Sequence, residues 1–341
     1  DQFKLLCSAQ PQQLKPALKN TPEWLRRSAS SLVPKNGPTC HADKRDAFIS
    51  ICYPIVENIL QQIDQEIIQY RLPGRRFFSE SAIRSQAEET LKDELSTLTT
   101  RTLVAELHIA HRLNVLCGGS AEERYWNFFQ RVSKPEVAET LFCRYPVLAR
   151  LCLTRASIFL DTFKETLSRI CRDWDSLEDT FGNGSPLGPI QEIEFGLGDP
   201  HRGGRTVTRL HFESGVHVFY KPRSLEIDLR YHRMLAWASQ HGGIPNFFLP
   251  TILNYTDYGY MGRIREEECR SIQGVRYFYY RLGVQLAFVH LLGGGDIHNE
   301  NIIAAGEYPV LIDLETLLQP VAYISTQSKT EALILRDLQQ S

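Results

Sequence analysis

With 341 residues, 43% of them hydrophobic and 23% charged, the chain carries enough apolar material for two or three cores and too much for an extensively disordered protein. A formal net charge of -2 supplies no global basic field for nucleic acid or an anionic membrane surface. There is no signal peptide and no apolar run long enough to span a bilayer, so the expected location is the cytoplasm.

The first forty residues, rich in proline, read as loose chain or short helices. From Asp43 to about Arg71 the pattern is that of an amphipathic helix, with Phe48, Ile51, Cys52, Ile55 and Ile59 at three- and four-residue spacings. LVAELHIAHRLNVL, EERYWNFFQRV and YPVLARLCLTRASIFLDTFKETLSRICRDW continue that habit through Trp174, as core stripes of a helical region rather than a cofactor box. Eight cysteines are scattered through the chain without a CxxC pair, which fits thiols of a reducing compartment better than a disulfide or zinc framework. The loop DTFGNGSPLGP marks a boundary near residues 179–189.

Beyond it the period changes. QEIEF, RTVTRLHF and VHVFYK are short β-branched or aromatic runs joined by FGLGDPHRGGR and the turn ESG, and they predict a three-stranded antiparallel meander. A helix over LEIDLRYHRMLAWASQH, a strand-like region around FFLPTILNYTDYGYMGRI and a second helix over VRYFYYRLGVQLAFVHLL follow. That helix leads into GGGDIHNENIIAAGEYPVLIDLET, residues 293–316. The fold class expected is therefore α+β, with a helical first half.

The order of chemical groups in the second half matches what kinase-type phosphoryl transfer requires. A glycine-rich loop with Gly196, Gly198, Gly203 and Gly204 lies between two strands, and Lys221 ends the third. Asp296 and Asn301 stand five apart directly after a helix, and Asp313 follows the apolar run PVLI with Glu315 two residues on. On an extended segment residues two apart point the same way, so Asp313 and Glu315 could face one hard cation such as Mg²⁺. Taken singly, the glycines read as hairpin turns, Lys221 as a surface lysine at a strand end, and Asp296 as a turn residue. Asp313 and Glu315 beside a buried run need a partner. The conjunction of all five parts in one order carries the signal.

GDPHRGGRTVTRLHFESGVHVFYKPRSLEID and GGGDIHNENIIAAGEYPVLIDLET, with TLVAELHIAHRLNVLCGGSAEERYWNFF and YPVLAR before them, resemble the dehydratase domain of class II (LanM-type) lanthipeptide synthetases over roughly residues 90–320. The resemblance implies an atypical, lipid-kinase-like protein kinase fold with added helices. In this scheme residues 1–185 form a helical capping region, 186–264 the amino-terminal lobe and 265–341 the start of an incomplete carboxy-terminal lobe. It also implies ATP and Mg²⁺ as cofactors and a leader–core precursor peptide as partner. Ser and Thr of that peptide would be phosphorylated, and the phosphate eliminated to leave dehydroalanine or dehydrobutyrine.

Residue by residue, Lys221, with Gly198, Gly203 and Gly204, would bind nucleotide. Asp296 would orient or deprotonate the hydroxyl, and His298 would support transfer. Asn301, Asp313 and Glu315 would hold metal, while Asp199 and His201 would serve elimination, which needs a base and a proton donor. The chain departs from the family at GYMGRI (259–264), where a Trp-x-Glu-Phe-like run is usual. It shows no counterpart of an activation-segment Arg and Thr, and no zinc cyclase domain, so it reads as part of a larger enzyme. Two other functions use the same parts: a small-molecule phosphotransferase of the aminoglycoside or choline kinase kind, and a pseudokinase that only binds a leader peptide.

Overall fold

The computed structural model describes residues 44–319, which fall into two compact units. The first comprises the described residues up to Trp174 together with Gly188–Thr206, and the second comprises Asp175–Leu187 and the described residues from Val207 onward. Mixed helix and antiparallel sheet make the α+β expectation correct at that level. The proline-rich first forty residues lie outside the described part.

In the first unit the helices are α1 (Lys44–Ile49), α2 (Tyr53–Gln69), α3 (Glu80–Arg112), α4 (Ala121–Val132), α5 (Pro135–Arg144) and α6 (Pro146–Arg172). The single helix expected from Asp43 to Arg71 is instead broken by a 3₁₀ turn at Ser50–Cys52. Pro54 explains the break: it cannot donate to the carbonyl four residues back and its ring crowds that position, but it suits the first turn of α2. The apolar spacing survives, with Ile49, Ile51, Cys52, Ile55, Val56 and Ile59 all buried.

Helix α3 buries one stripe, Ile83, Ala87, Leu91, Leu95, Thr99, Leu103, Glu106 and Ala110, against α1, α2 and α6. The two polar members of that stripe are satisfied. Thr99 donates to the Phe48 carbonyl at 2.7 Å, and Glu106 accepts from Arg144 at 2.8 and 3.0 Å and from the Tyr145 hydroxyl. Strand β1 (Ile190–His201) lies along α3, where the Gln86 side chain accepts from the Ile193 N–H at 2.6 Å. Phe195 packs on Phe159 and Phe163 of α6. None of the six described cysteines is in a disulfide, and Cys52 and Cys152 among them are fully buried. Among the described residues no helix is long and apolar enough to cross a membrane.

The chain passes from the first unit to the second along helix α7 (Trp174–Phe181) and again along strand β2 (Arg205–Phe212). In the second unit β2, β3 (His217–Lys221), β5 (Gly259–Gly262) and β4 (Ile252–Asn254) are neighbours in that order, all antiparallel. Helix α8 (Glu226–His241) follows β3, and α9 (Ile272–Leu291) precedes a separate hairpin of β6 (Ile302–Ala305) and β7 (Tyr308–Leu311).

Two apolar clusters fix this hairpin. Val310 packs with Leu225, Met261 and Ile264 on the sheet side. Leu311, Leu314 and Leu317 pack with Tyr231, Leu235 and Val289 from α8 and α9. Arg281 of α9 adds a polar staple, donating to the Asn246 carbonyl at 2.8 Å and to the Glu307 carbonyl at 2.9 Å, its guanidinium 4.1 Å from the Tyr308 ring. Leu314 is fully buried, so its neighbours Asp313 and Glu315 are pinned from between.

Candidate functional site

Lys221 closes β3 opposite Gly259. Strand alternation puts its side chain on the face opposite Tyr220, yet both are buried, with Lys221 only 8% exposed. The surface lysine that the strand pattern alone suggests is therefore absent. Burial pushes the Lys221 ammonium pKa down, Arg223 adds to that, and Asp228, Asp313 and Glu315 pull it back.

Arg223 is the centre of the cluster. Its Nη1 and Nη2 donate to the two carboxylate oxygens of Asp228 at 2.8 and 3.4 Å, and Nη2 also donates to Asp313 Oδ1 at 2.8 Å. Nε lies 3.5 Å from Glu315 Oε2. Burial works against the guanidinium charge, and Asp228 with Asp313 outweighs it, so the net shift of its pKa is upward. Two cations thus face three carboxylates, leaving one net negative charge. Asp228 is 1% exposed in the first turn of α8, where a carboxylate also suits the positive helix end, whereas Asp313 and Glu315 are 39% and 42% exposed.

Asp313 and Glu315 converge as expected, though for a different reason. Asp313 has φ 61, a left-handed rather than extended conformation, and Glu315 lies in the turn that follows. Arg223 and buried Leu314, not strand alternation, bring the two carboxylates to one side.

The Asp296–Asn301 loop is built from the same unit. Asp296 is also left-handed, with φ 52, and its carbonyl accepts from Asn301 Nδ2 at 2.9 Å. His298 Nε2 stands 3.7 Å from Asp296 Oδ1 and 3.4 Å from Asn301 Nδ2. Asp296 is 71% exposed and His298 44%, which leaves both open to a ligand. The loop is tied to the segment after β7 at three points: Ile312 N–H donates to the Asn301 carbonyl at 2.9 Å, Thr316 Oγ1 to the Gly295 carbonyl at 2.6 Å, and Leu318 N–H to the Leu292 carbonyl at 2.9 Å. Non-glycine residues at positive φ cost energy and persist only where the surroundings hold them, as these ties do.

The glycine-rich segment belongs to the first unit, but it is not the loop expected between two strands: Gly196 and Gly198 lie within β1, and only Gly203 and Gly204 lie in the 3₁₀ turn that follows. Gly196, Gly198, Gly203 and Gly204 all have left-handed φ, from 68 to 79. At Gly204 a Cβ would come within 2.4 Å of Ile158 Cγ2, so the backbone there approaches α6 as only glycine allows. Asp199 and His201 occupy the end of β1, and their side chains lie outside the described part.

Asn301, Asp313 and Glu315 offer the hard oxygen donors that suit Mg²⁺. Among the described residues no three His, Cys, Asp or Glu side chains form a cation cage by themselves. Sequence reasoning assigned no role to Arg223 or Asp228. The signals were Arg223 two residues after the lysine in YKPR, and Asp228 enclosed between Ile227 and Leu229 in a first helical turn.

A buried lysine, an arginine facing three carboxylates and a left-handed Asp loop tied to the segment after β7 thus lie in one unit. A family profile described as "Domain of unknown function (DUF4135)" matches residues 145–341, more than half of the sequence, and the chain belongs to that family, which is found in LanM-type lanthipeptide synthetases. The chain is also 25% identical over 248 residues to the "Lacticin 481/lactococcin biosynthesis protein LcnDR2" of Lactococcus lactis subsp. lactis, a match covering 70% of this chain. It spans 26% of that relative's length. The resemblance drawn from the motifs thus stands.

Proposed function

We propose that this chain carries the phosphoryl-transfer machinery of a lanthipeptide-modifying enzyme, one that phosphorylates Ser and Thr of a precursor peptide with ATP and then eliminates the phosphate. The observation that carries this reading is the convergence of Lys221, Arg223, Asp228, Asp313 and Glu315 in one cluster, although about ninety residues separate its two halves. Family membership and the printed name of the relative, a biosynthesis protein for lacticin 481, supply the peptide class.

In this reading Asp296 accepts the proton of the Ser or Thr hydroxyl as its oxygen bonds to the γ-phosphorus, and the bond to the ADP leaving oxygen breaks. His298 sits 3.7 Å from that carboxylate and steadies it. Lys221 binds the phosphates. When bound, Mg²⁺ neutralises charge on the β- and γ-phosphates, and Asn301, Asp313 and Glu315 are the residues that would hold it. Asp199 and His201 serve the second step: a base takes the Cα proton, its electron pair forms the Cα=Cβ bond, and the Cβ–O bond breaks to release phosphate. Residues 186–264 and 265–341 then act as the two lobes of a kinase-like fold, and Gly198, Gly203 and Gly204 serve as nucleotide-binding residues. The site of action is cytoplasmic.

Mass spectrometry of a precursor peptide incubated with ATP, Mg²⁺ and the complete enzyme tests this. The wild type should remove one water per modified site. Asp296→Ala should leave the peptide unmodified, lowering the phosphorylation rate about 100- to 10,000-fold, and His201→Ala should leave phosphate on it. Dehydration unaffected by Asp296→Ala would sink the phosphorylation reading. ATP-dependent modification of an aminoglycoside or choline, with the peptide untouched, would replace it with a small-molecule reading.

A further inference from the structure

We propose that Arg223 is a positioning residue for the cation site: it holds Asp313 and Glu315 in the geometry that receives the metal, and Asp228 anchors it. The inference rests on the assignment of those two carboxylates as cation ligands. Three observations carry it. Arg223 is 13% exposed and contacts all three carboxylates through a planar fork that fixes donor directions, which the flexible ammonium of a lysine does not. Asp228, at 1% exposed, is fixed in the first turn of α8. Asp313 stands in a left-handed conformation, disfavoured for an L-residue though less so for Asp, and the Arg223 bond at 2.8 Å helps to hold it there.

The adjacent backbone reinforces the anchor. The Leu225 N–H donates to Asn254 Oδ1 at 2.7 Å and Arg223 Nη1 donates to the Ser224 carbonyl at 3.1 Å, so the turn from β3 into α8 is closed around the guanidinium. The result is a path from a helix terminus, through one arginine, to the two half-exposed carboxylates.

A positioner and a mere counter-ion predict opposite signs. If Arg223 only neutralised Asp313 and Glu315, removing its charge would leave those carboxylates more negative and tighten cation binding, and a lysine would replace it. If it positions them, removal weakens binding despite the added negative charge, and a lysine restores little.

The test is Mn²⁺ uptake, read from the electron paramagnetic resonance signal of the unbound ion, with a non-hydrolysable ATP analogue present. It needs no turnover. Arg223→Gln is expected to weaken Mn²⁺ binding about 10- to 100-fold, the usual cost of losing a residue that orients metal ligands. Arg223→Lys should recover only a small part, and Asp228→Asn should weaken binding by a smaller factor. Metal-free melting curves identify any variant that fails to fold, and Arg223→Lys and Asp228→Asn then carry the comparison.

Equal or tighter binding by Arg223→Gln, or full recovery by Arg223→Lys, overturns the proposal and leaves the cation assignment standing. A wild type that binds no Mn²⁺ overturns both.

Discussion

Charged residues are buried in both units, but they are matched differently. In the first, each acid is matched by arginine: buried Glu106 by Arg144 and partly buried Glu94 by Arg155, each across two helices, and Glu165 by Arg169 one turn on in α6 and by Arg205 of β2. In the second, one arginine serves three carboxylates, a lysine is buried beside it, and two aspartates adopt left-handed backbone conformations. Matched pairs hold helices in register and ask for nothing further. The second cluster is left with one negative charge in excess, and two of its carboxylates reach solvent. The contrast is between charge that is fully matched and charge that is not.

Substitutions can break that contrast, and the largest effect belongs to the first unit. Arg144→Ala leaves the buried Glu106 carboxylate without its cation, with only the Tyr145 hydroxyl as partner, and should cost about 3 kcal/mol in denaturant unfolding. Mn²⁺ uptake by the second unit should not change; if it falls with the stability, the two kinds of charge are not distinct.

His232 gives the next effect. It lies one turn after Asp228, is 4% exposed, and burial pushes its pKa from the ordinary 6.5 down to about 4, with Asp228 pulling weakly the other way. Because the folded state resists the proton, its contribution to stability is complete above pH 6.5 and is lost as the pH falls toward 4. The loss is on the order of 3 kcal/mol. His232→Leu should flatten the stability profile across that window, as followed by melting at a series of pH values.

Lys221→Ala should slow ATP-dependent peptide phosphorylation about 100-fold, roughly 2.7 kcal/mol, with little loss of melting temperature. A large drop in stability with unchanged turnover would make Lys221 a structural residue like those of the first unit. Pro54→Ala is the smallest change: it frees the unfolded chain at the α1–α2 break and should cost about 0.4–1 kcal/mol, leaving cation binding untouched.

Much of this was legible in the sequence because periodicity reports burial directly. The helical stripes of α2 and α6, the runs that became β2 and β3, and the helices after them lie close to where their spacing predicts, whereas α3 begins at Glu80, well before the expected run at 103–116, and ends at Arg112. The breaks came from single residues acting on backbone geometry, such as Pro54, whose effect a hydrophobic pattern does not register. At the site, the kinase-like order of Lys221, Asp296, Asn301, Asp313 and Glu315 was readable, but its means of assembly was not. Strand alternation put Lys221 outside and Asp313 in line with Glu315, whereas cover on the second face buries the lysine and a left-handed turn redirects the aspartate. Arg223 was hidden for a related reason: its role depends on three carboxylates, two of which lie some ninety residues downstream.

The central claim, that the second unit holds a metal–nucleotide site, is tested most directly by calorimetric titration of Mg·ATP into the protein and its Asp313→Asn variant. The expected result is saturable binding by the wild type and at least about tenfold weaker binding by the variant. No binding by the wild type, or identical binding by both, would contradict it.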